Sequence, residues 1–161
     1  MGEISRSQSD YVAAREFYEE ALAINENLGQ VSIVMIVAHN LGYVAKQQGD
    51  PRQSLNYFRK SLNLAGERNV QRFIYYCLAG IATVYFQTDR VEDALRLFGA
   101  TERIAHEKNF RMDAMDQWEI AQCMKAVDLA VAAELKERLW TEGRALPLEQ
   151  AISLAEKERG K

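Results

Sequence analysis

Shifting the chain by 40 residues lays like on like, and this self-similarity limits the fold more than any other property of the sequence. The turn positions Ser9, Gly49 and Asp89 share one register, each behind a glutamine-containing segment. Next come Ala14, Ser54 and Ala94, all small, and then Tyr18, Phe58 and Phe98, all aromatic. Ala21, Ser61 and Thr101 follow, and the aliphatic Ile24, Leu64 and Ile104 close the series. Upstream of the turn, Leu41-Gly42 matches Ile81-Ala82 and Val44 matches Val84, so both halves of the unit recur. Such a grammar suits antiparallel helix hairpins. Small residues at Ala14, Gly42, Ser54, Ala82 and Ala94 let two helix backbones approach, while the aromatic residues fill the wider gap beside them. One hairpin alone leaves an apolar face open, so hairpins stack and the last one departs from the pattern.

Periodicity and punctuation predict a helix over 11–27, closed by Gly29 as a left-handed cap, and a second over about 31–48. Asp50 is the N-cap and Pro51 the opening residue of a third, which ends near Gly66. Helices over about 70–87 and 91–108 repeat the pair. Beyond Asn109 the register is lost, because Ala94 and Phe98 fall on Glu134 and Arg138 after the same shift. The pattern stays helical there: about 112–125, about 132–142 with a stop at Gly143, and about 147–157. The expected organisation is one all-α domain over 1–161, with repeats at about 1–29, 30–69 and 70–109 and a divergent helical cap over 110–161. It reads as part of a larger protein, since the start supplies only the tail of a helix whose partner follows at once.

Composition agrees. The only prolines are Pro51 and Pro147, and strong helix formers dominate. Cys77 and Cys123 are too few and too far apart for a disulfide framework or a zinc site, and read as small buried apolar groups. The net charge is only −3, and the arginines from Arg68 to Arg111 are interleaved with acids, which argues against a nucleic-acid surface. No run approaches the roughly 20 apolar residues of a membrane span, and the polar opening lacks the apolar centre of a secretory signal. A cytoplasmic protein is expected, without membrane contact.

These residues resemble the tetratricopeptide family. Leu41-Gly42, Gly49, Ser54, Phe58 and Ser61 fit its pattern, as do Ile81-Ala82, Tyr85, Asp89, Ala94, Phe98 and Thr101. Ala45 departs where the family has an aromatic residue, and Gly66 and His106 stand in place of its late proline. The segments 77–82, 94–102 and 140–152 are similar to the C-terminal end of large bacterial signalling ATPases of the STAND class, some of which carry a LuxR-type DNA-binding domain. The resemblance implies a non-catalytic sensor or scaffold module, contacting protein segments or other domains of its parent.

No catalytic signature competes with that reading: there is no phosphate loop, His-Glu-x-x-His, Cys-x-x-Cys or Gly-x-Ser-x-Gly. His39 and His106 are the only histidines, and His106 has no second histidine or cysteine one turn away. Glu19-Glu20 and Glu92-Asp93 are adjacent on helices, hence about 100° apart, and do not converge as an acid/base couple. No cofactor or metal is expected. In the tetratricopeptide family the first helix of each pair lines a binding groove. That resemblance places His39, Asn40, Tyr43, Lys46 and Gln47 in the groove, followed by Tyr76, Thr83, Phe86 and Gln87. Aromatic and hydrogen-bonding groups mixed in this way suit a peptide or a small polar ligand. Two uses stay open, a protein-interaction surface and an inducer-sensing site, together with self-association through Tyr11, Phe17 and Tyr18.

Overall fold

A computed structural model describes residues 10–158. Among them are eight helices and no strand: α1 (Tyr11–Asn27), α2 (Val31–Gln47), α3 (Pro51–Glu67), α4 (Gln71–Gln87), α5 (Val91–Lys108), α6 (Ala114–Ala130), α7 (Ala133–Ala145) and α8 (Leu148–Glu156). The all-α hairpin repeat is therefore the fold. From α1 to α5 every joint is built alike. Gly29, Gly49, Asn69, Asp89 and Asn109, spaced by 20 residues, all have positive φ, between 51° and 77°. One residue further on, the amides of Gln30, Asp50, Val70, Arg90 and Phe110 reach back five residues to the carbonyls of Asn25, Ala45, Ala65, Tyr85 and Ala105. A left-handed residue followed by this long bond satisfies carbonyls that a helix end leaves open. Asp10 and Asp50 accept from the amides of Ala13 and Gln53, capping α1 and α3 as aspartate does at a helix start.

The described residues divide into two compact units, and the division falls inside α4, after Cys77. In the first, Ala14 and Tyr18 of α1 pack against Val37, Leu41 and Val44 of α2. Phe58 of α3 lies where a Cβ on Gly42 would stand, so only glycine lets α2 and α3 close with the ring between them. Ser54 Oγ donates to the Gly42 carbonyl at 2.6 Å and Ser61 Oγ to the Met35 carbonyl at 2.8 Å. The small positions of the repeat thus carry donors as well as space. A serine hydroxyl buried without such an acceptor would destabilise the fold.

In the second unit the cap is built on a crossing of α5 and α7. A Cβ on Gly99 would overlap the backbone of Trp140, and one on Gly143 would overlap the backbone of Arg96. The expected stop at Gly143 is corrected by this contact: Gly143 lies within α7, which runs on to Ala145 and ends ahead of Pro147. Proline disfavours helical geometry in the residue before it. The helix expected over 112–125 also runs longer, to Ala130, since nothing in that stretch breaks a helix before Val131 turns extended. Around the crossing, Phe98 stacks on Trp140 at 5.9 Å and Arg96 pairs with Glu142 at 2.9 Å. Leu95, Val127 and Leu139 form one buried apolar cluster of this unit.

Glu102 accepts from Arg144 and from Trp140 Nε1. The Arg144 hydrogen bond, opposed by partial burial and aided by Trp140, holds the Glu102 carboxyl below its ordinary value. A depressed carboxylate contributes stability above its unfolded pKa and loses it as pH falls through the folded one. The pair is about half exposed, with side-chain exposures of 47% and 48%. Solvent screening therefore keeps its contribution to stability small. Glu102→Gln should lower the melting temperature slightly at neutral pH, and the gap to the native chain should close below the carboxylate range. A gap that persists at acid pH would show that charge is not its source.

Candidate functional site

The sequence of α2 places Ile33, Ile36, Asn40, Tyr43 and Gln47 on one stripe, at the three- and four-residue spacings of a helix face. Its start is open to solvent, with Ile33 at 42% and Ile36 at 40% exposure. Its middle is closed: Asn40 and Tyr43 are buried, together with His39 and Lys46 beside them. Gln47, at the end of α2, is exposed again.

The closed part is an aromatic box around an imidazole. The His39 ring stands 5.3 Å from Tyr43, 5.5 Å from Phe58, 6.0 Å from Phe73 and 5.8 Å from Tyr76. Tyr43 meets Phe58 edge-on at 4.9 Å. Edge-to-face pairs set the positive rim of one ring against the negative face of the next, which adds to the gain from burial. The Lys46 ammonium sits 5.3 Å from the centre of the Tyr43 ring, a cation–π distance. Cys77 Sγ lies 4.0 Å from His39 Nδ1. Thiol and imidazole are both shut from solvent, at 0% and 3% exposure, so the pair offers no path to a substrate.

Of the groove residues expected from sequence, the structure gathers His39, Tyr43, Lys46 and Tyr76 around this box, with Asn40 buried in the same stripe of α2. Phe73 and Tyr76 of α4 cover His39, which explains its burial. Gln47 is exposed at the end of α2, and the remaining three lie in the second unit. Thr83 is buried and donates to the Gly80 carbonyl of its own helix at 2.7 Å. Phe86 packs against the Leu95, Val127 and Leu139 cluster, and Gln87 is exposed at the end of α4. Ile33 and Ile36 are not among the residues expected from sequence, although the spacing signals them: they extend the Asn40–Tyr43–Gln47 stripe one and two turns toward the start of α2. Similarly, Tyr18 proves to be interior, at 6% exposure, and Tyr11 half-buried. The exposed large apolar side chains of α1 are Val12, Phe17 and Ile24, with Leu28 just past its end, at 65%, 40%, 49% and 66%.

Residues 1–67 match the tetratricopeptide repeat family model. The match contains α1, α2 and α3 whole, and with them the hairpin in which Gly42 receives Phe58. It also contains the α2 stripe. No curated protein and no solved structure matches the chain. Among the described residues no helix is long and apolar enough to cross a membrane.

Proposed function

We propose that this chain is a protein-interaction module in which α2 receives a segment of another protein or domain. Tetratricopeptide repeats generally mediate protein–protein contacts. The observation that carries the reading is the pair Ile33 and Ile36, two large aliphatic side chains exposed on α2 in the turns ahead of the packed cluster of His39, Tyr43, Phe58, Phe73 and Tyr76. An exposed apolar anchor on a helix held by a packed aromatic cluster binds with little loss of conformational freedom. A peptide-display selection on the full chain should enrich a motif with aliphatic or aromatic anchors. Its affinity should fall at least about tenfold in Ile36→Glu, the scale of a central anchor, with the melting temperature unchanged. Equal binding by the variant, or no enriched motif, would defeat the proposal.

The wider setting we infer is the C-terminal sensor or scaffold region of a bacterial signalling ATPase or transcriptional regulator. Two segments similar to that class, 94–102 and 140–152, are the ones whose Gly99 and Gly143 mesh at the α5–α7 crossing, which supports reading them as one inherited device. Sequencing the surrounding gene tests this, since it should encode a nucleotide-binding domain ahead of these repeats.

A further inference from the structure

We propose that α8 is a displaceable latch, and that the surface beneath it recognises the C-terminal end of a short alanine-faced helix, a place held at rest by the chain's own α8. The observation behind it is where the third repeat differs from the two before it. At the register of Asp10 and Asp50, both N-caps, the third repeat has Arg90, and the start of α5 has no side-chain cap. At the register of Ala45 it has Tyr85. Both residues serve α8, although Tyr85 keeps the aromatic residue of the family pattern and Ala45 is the position that departs from it. The Tyr85 hydroxyl lies 3.1, 2.7 and 3.2 Å from the carbonyls of Leu154, Ala155 and Lys157, and its one proton is shared among them. Arg90 lays its guanidinium 3.5 Å from the Tyr85 ring centre and donates to the Lys157 carbonyl at 2.8 Å. A helix leaves its last four carbonyls without intrahelical partners. Tyr85 and Arg90 supply donors at that place, reading backbone rather than side chains.

The seat beneath α8 is shallow. Ala151 and Ala155 are its fully buried residues, while Leu148, Ile152 and Leu154 are only partly covered. A cleft remains along the seam, lined by Arg96 of α5, Leu146, and Gln150, Ser153 and Leu154 of α8. With 9 residues α8 is below the length at which a helix holds in water by itself, so leaving the seat and losing helical structure are one event. The point of release is defined. Arg103 donates to the Leu146 carbonyl at 2.9 Å and anchors the chain just ahead of Pro147. Few buried apolar contacts and end carbonyls held by two side chains are the marks of a segment that opens by itself, without global unfolding.

Hydrogen exchange on the full chain tests the latch. Amides of α8 should exchange at least about a hundredfold faster than those of α5, the gap between local and global opening. Tyr85→Phe should speed α8 by about tenfold, the weight of one hydrogen bond, and leave α5 unchanged. A labelled peptide of residues 147–158 should bind the full-length Ala151→Glu variant, whose own α8 is unseated, and not the native chain. Exchange of α8 in step with α5, or a folded Ala151→Glu variant that ignores the peptide, would overturn the proposal. Should that variant fail to fold, the exchange comparison on the native chain decides alone.

Discussion

Gly143→Ala is expected to lower the melting temperature by roughly 10 °C, although the same change in an ordinary helix interior is stabilising. Alanine normally gains about 0.5–1 kcal/mol over glycine within a helix. Here the new methyl group meets the Arg96 backbone, and backbone cannot rotate away as a side chain can. The two helices must separate, and overpacking of this kind costs about 3 kcal/mol, which for a chain of this size corresponds to that shift. Gly99→Ala should act alike, through the Trp140 backbone. Gly66 is the control: it lies inside α3 with nothing within 4 Å of the place a methyl group would take, so Gly66→Ala should raise stability by a few tenths of a kcal/mol. Thermal unfolding followed by circular dichroism reads all three. Emission from Trp140, stacked on Phe98, should report loss of the crossing in the first two. If Gly143→Ala melts with the native chain, the close crossing of α5 and α7 does not exist.

Phe58→Ala should be comparably damaging in the first unit, by about 3–5 kcal/mol, the range for deleting a buried aromatic side chain. Phe58 is 0% exposed, fills the hollow left by Gly42, and contacts both His39 and Tyr43. Its loss opens a cavity and removes two edge-to-face partners at once. Pairing it with Gly42→Ala gives a sharper test than either change alone. Alanine at Gly42 crowds the Phe58 ring in the native chain but has room once the ring is gone, so the double variant should be less destabilised than the two effects added. Strict additivity, measured by denaturant unfolding, would mean that Gly42 and Phe58 do not touch.

Much of the fold was legible in the sequence because it rests on local chemistry repeated in register. Asp50-Pro51, Gly29 and Gly49 announce helix ends through side-chain capping and positive φ, neither of which depends on distant contacts. The 20-residue rhythm of the joints was only half visible, since Asn69 and Asn109 adopt the left-handed conformation without being glycine. Gly143 misled for the converse reason. Glycine permits both a helix stop and a close backbone approach, and only the presence of Arg96 across the crossing selects the second. The candidate site was less legible still. Tetratricopeptide register puts His39, Asn40, Tyr43, Lys46 and Gln47 together along α2, yet burial of His39 and Tyr43 depends on Phe73 and Tyr76 arriving from α4, which spacing along α2 cannot report.

By itself, then, the sequence determined the helices, their order and the hairpin repeat, because periodicity, caps and small-against-large patterning act within a few turns of chain. Tertiary structure decided which side chains remain at the surface, the meshing of Gly99 with Gly143, and the use of Tyr85 and Arg90 to hold α8. Those depend on which groups from remote parts of the chain come within a few ångströms, where van der Waals overlap and hydrogen bonding first take effect.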